Sequence, residues 1–375
     1  MLIKILFFIE KFGGGGAEKV LRDLVNHMDR SKFDITVQSV WPYEEGKLLN
    51  PGIRYKSVYA ARNALTEKQY RIEAALGLTY SLRIKDNYDI ECAFLESSPT
   101  KVIAYSTNRH AAKLAWVHCD LMKYTSEPER FAKKCSPWYE RFDKVVCVSQ
   151  TAKGSFDELF SNRFESTVLY NYVDDREIRE KAAAPIQIQK PDGSLLMLAV
   201  GTLYPPKNYP RLLRTFHRLK QERDNLELWI LGDGVQRDEL QRMAEELQIA
   251  SSVRFLGFQT NPYPYMQKAD LLVCSSNYEG FSTVITEGLI LGMPIVTTEC
   301  SGMRELLGES EYGCVTKNND EAFYQGVKRM TEDEELRLHY AEKALQKGKT
   351  ISGESLLMQT EHLLTSIYSD RRSGV

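Results

Sequence analysis

Residues 278–296 read YEGFSTVITEGLILGMPIV and decide the fold of the chain around them. Glu279 stands just before Gly280, Phe281, Ser282 and Thr283, while Glu287 lies within an apolar run that includes Val284, Ile285, Leu289 and Ile290. The order is strand end, glycine turn, helix. Ser282 or Thr283 can cap the first turn, and the unpaired amides there attract phosphate. Gly292 and Pro294 end the helix, and Ile295 to Thr297 begin a strand. One carboxylate precedes the anion site and the other follows it, an arrangement that suits a ligand with hydroxyls on both sides of a phosphate. Acidic residues near a helix N-terminus also simply favour its dipole, so the spacing alone leaves both readings open.

Outward from this segment, apolar runs of strand length alternate with helical patterns. In the first half the strand candidates are 3–9, 33–40, 88–94, 113–117, 143–149 and 166–170. In the second they are 195–200, 226–231, 253–256, 271–274 and 294–297. Such alternation predicts α/β architecture with two Rossmann-like, doubly wound parallel-sheet domains, whose ligands bind at the carboxyl ends of strands. We expect a first domain over 1–175, a linker over 176–191, where the pattern dissolves into charges, alanines and prolines, and a second domain over 192–353. An amphipathic helix follows over 354–375.

The 375 residues include 49 Lys and Arg against 51 Asp and Glu, a net charge of −2 that argues against a nucleic-acid binder. Between Lys101 and Lys144 nine basic residues face five acidic ones; this stretch is either an ordinary solvated face or one that meets an anionic membrane or a lipid diphosphate. Seven cysteines without a C-x-x-C pair suggest neither a disulfide framework nor a zinc site, and point to a reduced, cytoplasmic setting. No acidic D-x-D motif stands at a strand end, so no metal and no cofactor is expected. The apolar N-terminus is read as a first strand, not a signal peptide.

Three further loops carry candidate chemistry. Gly13 to Gly16 follow the first strand and open a helix, leaving room for a diphosphate beside bare amides; the loop is neither a dinucleotide fingerprint nor a P-loop. The segment VGTLYPPKN, residues 200–208, ends a strand and presents Lys207, a compact cation suited to a departing diphosphate. His118 follows the short strand AWV, with Asp120 a weaker candidate two residues on; a histidine in such a setting is equally at home as a structural group.

Taken together, residues 13–18, 200–208 and 279–287 resemble the signature of the family 4 (group 1) retaining glycosyltransferases, which have the two-domain GT-B fold. The resemblance implies two domains facing across a cleft, with the last helix packing back on the first domain. It implies a nucleotide-diphosphate sugar, UDP-linked by preference, as donor, and transfer to the hydroxyl of a saccharide or lipid-linked saccharide in surface polysaccharide biosynthesis, at the inner face of the membrane. Glu287 would hold the ribose and Glu279 the donor sugar. Phe281, Ser282, Thr283 and Val284 would present amides to sugar and phosphates, with Gly15 and Gly16 beside them and Gly257 and Phe258 at the base. Lys207 would neutralise the diphosphate and His118 would orient the sugar. The family usually carries Arg where this chain has Thr202. Two rivals remain: a sugar-nucleotide epimerase on the same fold, and a non-catalytic nucleotide-sugar-binding subunit, to which Thr202 lends weight.

Overall fold

The computed structural model describes residues 2–373, which divide into two compact units: residues 2–173 with 353–373, and residues 174–352. In the first unit, seven strands run parallel: β1 (Ile3–Ile9), β2 (Phe33–Ser39), β3 (Arg54–Ser57), β4 (Ile90–Ala93), β5 (Ala112–Val117), β6 (Lys144–Cys147) and β7 (Ser166–Val168). Their order is β3-β2-β1-β4-β5-β6-β7. Six of the seven residues of β1 are buried, as a central strand covered by helices on both faces requires. Helix Gly16–His27 buries Val20, Leu21, Leu24 and Val25, one side of a 3.6-residue repeat.

The second unit repeats the plan with β8 (Leu195–Val200), β9 (Leu226–Leu231), β10 (Val253–Gly257), β11 (Leu271–Cys274), β12 (Ile295–Thr298) and β13 (Cys314–Thr316), in the order β10-β9-β8-β11-β12-β13. Its core joins Leu212, Leu213, Phe216 and Leu219 of helix Tyr209–Glu222 to Met197, Ala199, Leu228 and Ile230 of the sheet. Each sheet reverses its winding once, between β1 and β4 and between β8 and β11. Loops diverge at such a reversal and leave a crevice at the carboxyl ends of the two strands.

One expectation needs correction. Residues 176–182, placed in a linker, belong to the helix Asp175–Ala182, because Asp174 caps it by accepting from the Glu177 amide at 2.8 Å while Ile178 and Ala182 are buried. The edge strands β3 and β13, four and three residues long, are too short to carry an apolar run that would announce them. The final helix, Gly353–Ser373, belongs to the first unit: Glu361 accepts from the Asp29 amide at 2.7 Å, Arg371 reaches Asp143 at 3.2 Å, and Leu364 and Ile367 are buried. Residues 374 and 375 of the expected helix lie outside the described residues.

Candidate functional site

The reversal of the second sheet brings together the loops that follow β8 and β11. Lys207 ends the one-turn helix Pro205–Lys207, and Asn208, in the left-handed region at φ 46°, caps the next helix. The Ser275 hydroxyl after β11 donates to the carbonyls of Lys207 and Asn208 at 2.9 and 3.0 Å, and the Asn277 amide donates to Pro206 O at 2.7 Å. Beneath them the buried Arg211 donates to Asn318 Oδ1 at 2.6 Å and to Ser275 O at 3.3 Å. The two loops are therefore stitched into one surface.

On that surface Lys207 Nζ lies 2.6 Å from Glu279 Oε1, which also accepts from the Ser276 hydroxyl at 2.7 Å. Burial alone would push the ammonium pKa down; the Glu279 carboxylate, with weaker help from the neighbouring thiols, more than offsets it and holds Lys207 above the ordinary lysine value. Glu279 is followed by Ser282, whose hydroxyl accepts from the Ile285 amide at 3.4 Å and caps helix Thr283–Ile290. The amides of that first turn thus lie a few residues from a cation–carboxylate pair. Glu287, one turn further, is 3% exposed, and the Tyr263 hydroxyl donates to its Oε1 at 3.2 Å.

The other loops at this end of the sheet are tied together by backbone. Thr202 is exposed and Leu203 N donates to Asp233 O at 2.9 Å; Gly232 N donates to Gly257 O at 2.8 Å. Gly257 sits at φ 71°, and Phe258, 62% exposed, projects beside it. The strand ends of β8, β10 and β11 thus carry Thr202 and Lys207, Gly257 and Phe258, and Glu279.

In the first unit, Gly15 is the N-cap of helix Gly16–His27, and the Glu18 carboxylate folds back against it: a Cβ at Gly15 would come within 2.2 Å of Glu18 Oε2. Burial raises the Glu18 pKa, while its own backbone amide and Lys11 partly offset the rise. A diphosphate at Gly15 and Gly16 would have to displace this internal carboxyl. His118 follows β5; its amide donates to Glu96 Oε2 at 3.0 Å and its ring packs 4.8 Å from Phe94. The residue is only half-buried, yet Nε2 is shut off from solvent and has no hydrogen-bond partner among the described residues. Desolvation pushes its pKa down to about 3, so the ring is neutral. Asp120 caps the turn Leu121–Tyr124 through the Met122 amide at 3.2 Å, a structural task. Tyr263, Ser276 and Glu96 escaped the sequence reading, since only the fold brings them to their partners. Among the described residues no three His, Cys, Asp or Glu side chains gather as a metal would need, and none of the seven cysteines is in a disulfide.

The chain is 36% identical over 214 residues, 56% of its own length and 57% of the relative's, to the Campylobacter jejuni N-acetylgalactosamine-N,N'-diacetylbacillosaminyl-diphospho-undecaprenol 4-alpha-N-acetylgalactosaminyltransferase. It is 27% identical to the lipopolysaccharide core biosynthesis glycosyltransferase LpsE of Rhizobium meliloti, over 55% of this chain and 59% of that one. These matches span little more than half the length of either relative. The crystal structure of Anabaena HepE in complex with UDP and glucose superposes with a TM-score of 0.76 at 19% identity, covering 97% of this chain and all of that one, which shows a shared GT-B fold. The family described as glycosyl transferases group 1 matches residues 180–347, nearly the whole second unit. Along residues 180–347 the chain is thus similar to the group 1 glycosyl transferases.

Proposed function

We propose that the chain transfers a sugar, with retention of configuration, from a UDP-linked sugar to the hydroxyl of a lipid-linked saccharide in surface polysaccharide assembly, at the cytoplasmic face of the membrane. The observation that carries this reading is the 2.6 Å contact between Lys207 and Glu279 at the reversal of the second sheet, directly before a capped helix N-terminus. A cation and a carboxylate meet there, a few residues before the first turn of a capped helix, a set that suits a diphosphate flanked by a sugar. Lys207 offsets the charge that grows on the leaving diphosphate, Glu279 holds sugar hydroxyls, and Glu287 takes the ribose. The leaving phosphate oxygen accepts the acceptor proton, so no metal ion and no cofactor enters the scheme.

The hexosaminyl and diphospho-undecaprenol parts of the Campylobacter relative's name support an N-acetylhexosamine donor and a lipid diphosphate acceptor. Thr202 favours a second reading, a subunit that binds a nucleotide sugar without turnover. Incubating the chain with a panel of UDP-sugars, with and without a lipid diphosphate saccharide, separates the two. Transfer with an α-linked product is expected; tight UDP binding with no turnover of any donor would instead favour the subunit.

A further inference from the structure

The Glu279 carboxylate is held through one oxygen only. Its Oε1 takes Lys207 Nζ at 2.6 Å and the Ser276 hydroxyl at 2.7 Å, with the Cys274 thiol 3.9 Å away. Its Oε2 has no hydrogen bond or ion pair among the described residues and is not shut off from solvent. A carboxylate divided in this way keeps one oxygen for the protein and offers the other to a ligand.

The two strong anchors of Oε1 differ in how they are mounted. Ser276 is 1% exposed, and its carbonyl accepts from the Thr298 hydroxyl, from the Cys300 thiol at 3.1 Å and from Asn318 Nδ2 at 3.4 Å. Groups at or beyond the ends of β12 and β13 thus fix it in place. Because the Ser276 proton goes to Glu279, the Cys274 thiol, 3.3 Å from the Ser276 oxygen, donates to that oxygen in turn. Cys274, Ser276 and Glu279 form a short relay of hydrogen bonds into one carboxylate oxygen. Lys207 sits on a flexible stem and answers to charge. A diphosphate carries more negative charge than Glu279 and attracts the same ammonium, whereas the neutral, buried Ser276 hydroxyl has no comparable reason to leave.

We propose that Ser276 is the positioning residue of Glu279: its hydroxyl keeps Oε1 in place when a nucleotide diphosphate engages Lys207, so that Oε2 meets a hydroxyl of the donor sugar. The role rests on the nucleotide-sugar reading given above and deepens it by dividing the two anchors between the two parts of the donor. Lys207 serves the phosphates and lets Oε1 go; Ser276 serves the sugar and does not. Without the Ser276 hydroxyl, the carboxylate of a donor complex has only the distant thiol beside it and turns among its rotamers, losing the orientation that a bound sugar needs.

The test is calorimetry of the full chain with UDP and with UDP-N-acetylgalactosamine, beside initial transfer rates, for the parent, Ser276→Ala, Glu279→Ala and the double variant. Ser276→Ala is expected to leave UDP affinity within about twofold, and to weaken the UDP-sugar and lower transfer about tenfold. In the Glu279→Ala background no carboxylate remains to be oriented, so the same change should cost less than about twofold. A serine with a merely structural role would lower both backgrounds alike and take UDP affinity down with them. Cys274→Ala, which removes only the thiol behind Ser276, should give the same pattern at about threefold, and provides the comparison if Ser276→Ala melts early. The proposal is overturned if these variants bind the UDP-sugar as the parent does, if the loss is equal in the two backgrounds, or if UDP is weakened as much as the UDP-sugar. Transfer that Ser276→Ala leaves intact sinks this inference alone. A sugar-dependent loss of affinity without turnover of any donor sinks only the reading of activity, and a chain that binds neither nucleotide overturns both.

Discussion

Lys207 and Glu279, 72 positions apart in sequence, form a 2.6 Å ion pair across the winding reversal of the second sheet. The pair is mostly screened from solvent, so each charge depends on the other. Under the proposed function, a nucleotide diphosphate arriving there would compete with Glu279 for the same ammonium.

This competition gives the two residues opposite effects on UDP. Lys207→Met should weaken UDP binding and lower transfer at least tenfold, about 1.4 kcal/mol of transition-state stabilisation. Glu279→Gln should lower transfer by a similar factor yet leave UDP affinity unchanged or tighter, because UDP has no sugar to lose and Lys207 is freed. Titration calorimetry with UDP beside initial-rate measurements checks both. If Glu279→Gln weakens UDP as much as Lys207→Met does, the carboxylate is not a sugar contact.

At position 202, two residues past the end of β8, the chain has an exposed hydroxyl on the loop that leads to Lys207. Thr202→Arg adds an exposed cation without displacing any buried group, and should tighten UDP binding by about 1.5 kcal/mol or more, the range of a charge-assisted hydrogen bond. No change in affinity would mean that this loop does not border the diphosphate.

Glu287 and Tyr263 form a buried pair, so Tyr263→Phe should raise the donor KM and leave kcat nearly unchanged, the signature of lost ground-state positioning. Steady-state kinetics at saturating acceptor reads the split. A fall in kcat with a constant KM would place Glu287 in the chemical step instead.

His118 binds its proton far less readily in the folded chain than its ordinary value of 6.5 allows, with a folded value of about 3. Between those two values the unfolded chain is protonated at this ring and the folded one is not, so stability falls as pH drops from about 6.5 towards 3. Urea midpoints at pH 7 and pH 5 should show a smaller acid loss for His118→Gln than for the parent chain. The transfer rate should carry no inflection from this ring near pH 6.5, and one that vanished in His118→Gln would refute its neutral role.

Gly232 follows β9 at φ 135°, and a Cβ there would lie 1.9 Å from Gly201 O. Gly232→Ala forces this turn away from β8 and should cost at least about 1–3 kcal/mol, visible in urea unfolding. An unaffected midpoint would mean that the turn yields freely.

Sheet strands with continuous apolar runs, such as Leu195–Val200 and Leu226–Leu231, were legible because burial on both faces leaves no room for polar residues. β3 and β13 escaped because an edge strand needs few apolar side chains. The local geometry of the candidate site was legible where it follows a strand end, as at Lys207, Glu279 and Ser282, since the turn and cap chemistry there is local. Tyr263 on Glu287 and Glu96 on the His118 amide were not legible: each bond spans more than 20 residues and exists only once the sheet has formed. Helix Asp175–Ala182 was hidden by charge, although its cap, Asp174, stood in plain view.

The return of helix Gly353–Ser373 to the first unit makes that unit discontinuous, whereas residues 174–352 are one unbroken stretch. Leu364 and Ile367, which this helix buries, leave the ribosome only after the whole of the second unit. The usual order, in which the N-terminal domain matures first during synthesis, is therefore reversed: the second unit can complete while the first still lacks its closing helix. A chain cut at residue 352 would keep an intact second unit and leave the first unfinished.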